Sequence, residues 1–480
     1  MVAHLIEKKI FPFLVIALFI GLNIFGILTE QYLLCLAPVA IYFIYLAIFK
    51  PSQLLLFIVF FTPFSLGLEN TELGGIGASL PTDPLLFGLM ILYLIGLLMG
   101  NKTDKQFLKH PVTIAIILQL SWILITTFSS SLPIVSLKFL ISRLWYILVL
   151  YFLANQFFKN FEYVKKYIWM YILALTGVII FTVAIHASKG FTEEAAHDSM
   201  YPFFKDHTVY GALLALYFPL VISLFFVRKY NVLVKSIAVV LLVIFTTGII
   251  LSYTRAAWIS LAAAFGLLVL IKIKIDFRLL LILSIVGGFF VFVSYDTIIY
   301  QLEKNKQESS GNIGEHLQSI SNVSSDASNL ERLNRWSCAY RMFADRPIVG
   351  FGPGTYMFKY APYQLLSEQT IITTNNADGG NAHSEYLGPL AEQGILGLVF
   401  TILFIAVLFY NGIRLFYRLE EHDHRLILLA IILGLATYFV HGILNNYLDT
   451  DKASIPIWGF ASIIVAMDLY YPKKLKKFGN

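Results

Sequence analysis

The chain is 480 residues long, 58% of them hydrophobic and only 13% charged, with a net charge of +6. About a quarter of the residues of a soluble globular domain are charged, so that class is excluded. A mean hydropathy of +0.75 points to a chain that lives in a bilayer.

Crossing a hydrocarbon core about 30 Å thick takes about 20 apolar residues in a helix. Fourteen segments are candidates: 10–28, 31–49, 52–68, 83–99, 111–128, 139–157, 167–186, 208–227, 233–251, 255–272, 278–295, 394–412, 426–443 and 453–471. Lys8 and Lys9 precede the first, and no small-residue cleavage site follows it, so a cleavable signal peptide is not expected. The expected fold is all-α, a polytopic membrane bundle of about 12–14 transmembrane helices. Residues 1–295 hold eleven spans, 296–393 form one large external, mainly helical loop, and 394–480 hold the last three spans and a cytoplasmic tail.

With the N-terminus in the cytoplasm, every even-numbered connection should be rich in Lys and Arg. Those connections carry Lys50; Lys102, Lys105 and Lys109; Lys159, Lys165 and Lys166; Arg228, Lys229 and Lys235; Lys272, Lys274 and Arg278; Arg414, Arg418 and Arg425; and Lys473, Lys474, Lys476 and Lys477. With Lys8 and Lys9 they make 22 of the 35 basic residues. The short outer connections hold only Lys138, Lys189, Lys205, Arg255 and Lys452. This bias places the 296–393 loop outside and accounts for the net charge without any nucleic-acid partner. Cys35 falls inside the second span and Cys338 in the loop, so neither a disulfide framework nor a thiol metal site is expected.

Two arginines stand where membranes disfavour them. Arg143 lies about one turn inside the external end of the sixth span, near Lys138, where a snorkelling side chain is one reading. Arg255, in SYTRAAW (Ser252–Trp258), sits at the very short external joint between the ninth and tenth spans. An arginine at the bilayer centre costs about 2.5–3.5 kcal/mol, less near the interface. A polyanionic ligand among the outer headgroups accounts for both.

The loop itself opens with a polar, Ser/Asn-rich surface connection, 301–328. Ser328 and Glu331 then form a capping box for a helix running to about Asp345, before Pro347. Leu330, Leu333, Trp336, Tyr340 and Phe343 form an apolar stripe, with Arg332 on its flank beside Trp336, Ala339 and Phe343. Arg341 points away; Arg335 is intermediate, with Glu331 at the spacing of a surface ion pair. GFGPG (Gly350–Gly354) reads as a tight turn, or as a nest of amides that holds an anion. Within Asn375–Leu398, His383 is expected to be exposed at the start of a short amphipathic helix that Gly394 closes, with Pro389 beginning its second turn or kinking it. A helix N-terminus disfavours imidazolium, which suits a neutral base.

These residues carry a resemblance. RLNRW and FADRPIVGFGPGTY (within Arg332–Tyr356), with AHSEYLGPLAEQGILGL (Ala382–Leu398), resemble the signature of the O-antigen ligase/O-antigen polymerase superfamily of polytopic glycosyltransferases. SYTRAAW and DHTVYGALLALYFPL (Asp206–Leu220) resemble two further elements, so the likeness runs from about residue 200 to the end. Two positions depart from the pattern: Ser384 stands for the usual Asn after the histidine, and Ala256 for the Gly after the arginine. The resemblance implies a glycan donor on undecaprenyl pyrophosphate, an acceptor hydroxyl on a glycan, glycolipid or protein, and transfer at the outer face of the bacterial cytoplasmic membrane. Arg255 and Arg332 match the family's functional arginines and His383 its essential histidine, the general base. Arg335, Arg143, His207, Glu385 and Tyr386 are the candidate substrate contacts. No cofactor is implied; no Asp-x-Asp motif stands in the loop, and Glu193, Glu194, His197 and Asp198 are the remaining conceivable metal donors. Ligase, repeat-unit polymerase and lipid-linked sugar transporter remain the three activities in play.

Overall fold

The computed structural model describes residues 13, 16–17, 19–31, 37–67, 78–275, 327–368 and 380–472. After an apolar helix at Phe19–Leu28, the helices are α1 (Ala37–Phe49), α2 (Pro51–Phe61), α3 (Thr82–Leu98), α4 (Pro111–Phe128) and α5 (Pro133–Ile147). α5 continues through a π-helical segment, Leu148–Leu153, to Phe157. Next come α6 (Phe161–Ser188), α7 (His207–Phe226), α8 (Val232–Leu251), α9 (Arg255–Lys272), α10 (Ala327–Asp345), α11 (Leu387–Arg418), α12 (His422–His441) and α13 (Asp451–Tyr470). Two-residue strands Leu66–Gly67 and Ser79–Leu80 pair antiparallel after α2.

The protein is an all-α polytopic bundle. Among the described residues nine helices are long and apolar enough to cross a membrane, and four shorter apolar helices accompany them. Every candidate span except 278–295 coincides with one of these; that span, Cys35, residues 301–326 and the tail lysines lie outside the described residues. Starts are legible locally: Pro51, Pro111 and Pro133 occupy first turns, where a missing N–H costs nothing. The Asp206 carboxylate caps α7, accepting from the Thr208 and Val209 amides at 2.7 and 3.0 Å.

Burial is uneven. In α13, 83% of the span is buried, against 28% in α8 and 22% in α9, so among the described residues α13 is central and the other two are peripheral. Its first turn carries a buried acid and a buried base. Asp451 accepts from the Ser65 and Thr82 hydroxyls, and the Lys452 ammonium donates to the Thr62 and Ser65 carbonyls, each at 2.8 Å. Lys452 is therefore not one of the outer surface cations; it pins the end of α2 to the core.

Gly394 breaks α11, with φ 69°. A Cβ there would lie 2.2 Å from the Ile348 carbonyl oxygen, and the Ile395 amide donates to Pro347 at 2.9 Å. The expected closure at Gly394 is thus present, and Pro389 sits in the first turn, where it breaks no intrahelical bond. The GFGPG run bends through left-handed glycines (φ 65°, 110° and 73°). An internal carboxyl group occupies this turn. The Glu392 carboxylate accepts from the Gly354 and Tyr356 amides, both at 2.9 Å. Ser131 and Ser136 then tie Phe351 and Pro353 to the start of α5. Because φ is +110° at Gly352 and a Cβ would lie 2.0 Å from Ser130 Oγ, Gly352→Ala is expected to destabilise the fold by about 2 kcal/mol or more. A lowered thermal midpoint in detergent checks it.

Candidate functional site

α10 does not present the face its apolar stripe predicts. Its buried residues are Glu331, Asn334, Arg335, Cys338, Ala339 and Met342, and Tyr340 is 51% exposed. Cys338, Ala339 and Met342 pack against Phe351, Tyr356, Tyr360 and Ala391. Polar residues can take the inward positions because they satisfy one another: Arg335 Nε donates to Glu331 at 2.7 Å, and its guanidinium lies 3.9 Å from the Tyr360 ring centre. Arg335 is 4% exposed, not a surface ion pair. A Cβ on Gly380 would meet its Nη1 at 2.0 Å, so the guanidinium packs against the backbone three residues before His383. Arg341, expected to point into solvent, pairs with Glu368 and donates to the Tyr363 carbonyl at 2.7 Å.

The adjoining flank of α10, bearing Arg332 and Trp336, meets His383. Trp336 Nε1 donates to the His383 carbonyl at 3.3 Å, and the Arg332 charge, one turn earlier, acts on the imidazole. His383 is not the exposed first residue of a helix. α11 starts four residues later, and His383 is partly buried in a left-handed conformation, φ 46°, its amide donating to Asn381 Oδ1 at 2.9 Å. Its basicity is depressed to about 4, first by burial, then by Arg332 and Arg335, with Glu331 and Asp206 opposing. The imidazole is therefore neutral across physiological pH, as a general base must be, but burial and guanidinium charge are the cause, rather than a helix dipole.

Other helix ends converge here. The Arg332 charge also reaches His207, His441 and Tyr447. His207 opens α7 and stacks on His197, ring centres 4.2 Å apart. Arg255 opens α9, and its neighbour Thr254 donates from its hydroxyl to the His207 carbonyl at 2.9 Å. The α8–α9 joint is three residues, as the sequence indicates, with Tyr253 left-handed at φ 49°.

Glu385 and Tyr386 face inward. Glu385 Oε1 accepts from the Tyr438 hydroxyl (2.6 Å) and the Tyr447 and Leu448 amides (2.7 and 2.8 Å), while its own amide donates to Gly442. Burial pushes its carboxyl up to about 7, and Asp449 adds to this. Tyr386 donates to the Phe439 carbonyl at 2.9 Å. Both residues fasten the His383 segment to the 442–448 turn. Removing Glu385 strands three buried donors, at about 1–3 kcal/mol each. Glu385→Ala is expected to lower the thermal midpoint and to cut transfer at least about tenfold; Glu385→Gln, which keeps an acceptor, should recover part of both.

Arg143 is buried, and the carboxylate it pairs with, Asp449, is exposed. Arg143 itself is 9% exposed, and its guanidinium lies 5.2 Å from the Phe139 ring centre. Sequence reasoning missed Asp449, Glu392 and His441. His441 is 2% exposed and neither ring nitrogen has a hydrogen-bond partner among the described residues. A polar cluster, HGILNNYLDT (His441–Thr450), closing an apolar span was the available signal.

Residues 239–402 match the family described as O-Antigen ligase. Over that stretch, about a third of the chain, the sequence is similar to the O-antigen ligase family. The matched region runs from within α8 to within α11 and contains Arg255, Arg332 and His383, whereas Arg143, His207 and His441 lie outside it. No curated protein matches the chain. The match and the nine apolar helices among the described residues support a multi-pass bacterial membrane protein with O-antigen ligase- or polymerase-like activity.

Proposed function

We propose that the chain transfers a glycan from undecaprenyl pyrophosphate to an acceptor hydroxyl, on lipid A–core or another surface acceptor, at the external face of the cytoplasmic membrane. The observation that carries this reading is the meeting of Arg332 and His383 at one end of the bundle, where the ends of α7 and α9 bearing His207 and Arg255 also adjoin. The lysine-rich connections lie at the other end, which supports an external site by the positive-inside bias. On this reading residues 1–295 and 394–480 are the membrane scaffold, and 296–393 bring Arg332 and the base to it.

Arg332 and Arg255 bind the pyrophosphate through planar, permanently charged forks. His383 takes the proton of the acceptor hydroxyl, whose oxygen attacks the anomeric carbon from the face opposite the leaving group. The C1–O bond breaks, undecaprenyl pyrophosphate departs with its charge held by the guanidinium groups, and the anomeric centre inverts. Arg335, Glu385 and Tyr386 hold the base in place instead of touching substrate. No step requires a metal.

Incubating the purified protein in EDTA with a lipid-linked repeat unit, with and without candidate acceptors, tests the reading. A single adduct that requires acceptor supports ligation; a ladder formed without acceptor means polymerisation; no product with either means binding or transport only. The depressed basicity of His383 also sets a pH dependence. Protonation removes the base, so kcat/KM should hold as pH falls through 6.5 and decline only towards about 4. A decline centred near 6.5 contradicts that assignment.

A further inference from the structure

We propose that a cavity at the end of the bundle opposite His383 is a binding site for one anionic phospholipid. α13 fixes the distance between the two: its first residue stands two positions after Asp449 at the site end, and its last, Tyr470, lines the cavity. Twenty residues at 1.5 Å each put the two about 30 Å apart. The cavity encloses about 860 Å³ between α1, α3, the π-helical part of α5 and the end of α13. That is the size of a small-molecule site.

The lining has two characters. Leu89, Leu92 and Phe152 make an apolar inner wall, and Ile48 and Ile95, also in the lining, are exposed at its edge, so the cavity opens towards hydrocarbon. At the other edge stand Lys102 and Lys159, both exposed. Asp104, the acid in the lining, is already engaged: it accepts from the Tyr470 hydroxyl at 2.6 Å and the Gln106 amide at 2.8 Å. Lys159 lies 4.6 Å from the Tyr470 ring centre, which holds the ammonium at the rim. Two cations over an apolar slot between helix ends match a phosphate headgroup with an acyl chain below it, on the side where anionic lipids and basic pockets meet. A free anion has no use for the apolar wall, and a neutral lipid has none for the lysines. The bound lipid fills the gap between the peripheral helices α1 and α3 and the core. This inference is independent of the transfer reaction.

The test uses the full-length protein, delipidated in a non-ionic detergent and titrated with phosphatidylglycerol, phosphatidylcholine or inorganic phosphate, with retained lipid read by native mass spectrometry. One equivalent of phosphatidylglycerol should be held, in preference to phosphatidylcholine. Lys102→Ala with Lys159→Ala should weaken it about thirtyfold, whereas Lys138→Ala with Lys189→Ala should not. Leu92→Trp, which fills the slot and leaves both lysines, should displace the lipid as well. Equal retention of phosphatidylcholine, displacement by inorganic phosphate, or unchanged binding in either the lysine pair or the tryptophan variant overturns the proposal.

Discussion

Replacing His383 should reduce glycan transfer by about a thousandfold and leave donor binding in place. A positioned general base contributes about 10²–10⁴ to a rate, and the groups assigned to the pyrophosphate, Arg332 and Arg255, are untouched by the change. The choice of substitute matters. His383 has φ 46°, a left-handed conformation that alanine disfavours and asparagine tolerates. His383→Asn therefore removes the base with little change in backbone strain, and its thermal midpoint should stay close to that of the parent. His383→Ala should lose transfer as completely but also some stability. Turnover near the parental rate in the asparagine variant, with the fold intact, would remove the base from the proposed mechanism. Loss of donor binding along with transfer would point instead to a role in holding the glycan.

The bundle was legible because membrane helices advertise themselves. Long apolar runs and lysines on alternate connections identified the membrane helices, a capping box identified α10, and Arg255 was found at a joint that leaves it little freedom. Charge, however, misleads once residues can neutralise one another. Glu331 and Arg335 read as a surface ion pair on α10, yet with Asn334 they form its inner face, because an ion pair four residues apart and a tyrosine ring replace water. Glu392 carried no local signal; its carboxyl group occupies the turn that was read as a candidate anion nest. Arg143 and Asp449, 306 residues apart, form a pair that no local pattern could announce. Lys452 is the same case, a cation taken for a topology marker whose three protons point at buried backbone and hydroxyl oxygens. What could be read was the set of segments carrying Arg332, His383, His207 and Arg255; what could not was which neighbouring charges the fold would consume internally.

Arg332→Lys should impair transfer about ten- to hundredfold although the charge is kept, since one ammonium cannot replace a two-pronged fork on phosphate oxygens. Arg332→Gln should lose more, about 10²–10³, the range seen when a preorganised donor to a developing oxyanion is removed. The two variants differ in a second, independent reading. The Arg332 charge is the largest influence after burial in keeping His383 near 4. With glutamine that repulsion disappears, imidazolium becomes easier to form, and the acid limb of the kcat/KM profile should move up towards 6.5. With lysine a positive charge remains, and the limb should stay low even though the rate has fallen. A merely structural Arg332 predicts neither pattern: both variants would lose stability and rate together, with one unshifted pH profile. Coincident profiles for lysine and glutamine would therefore separate Arg332 from the histidine electrostatically, and the proposed division of labour between guanidinium and imidazole would not stand.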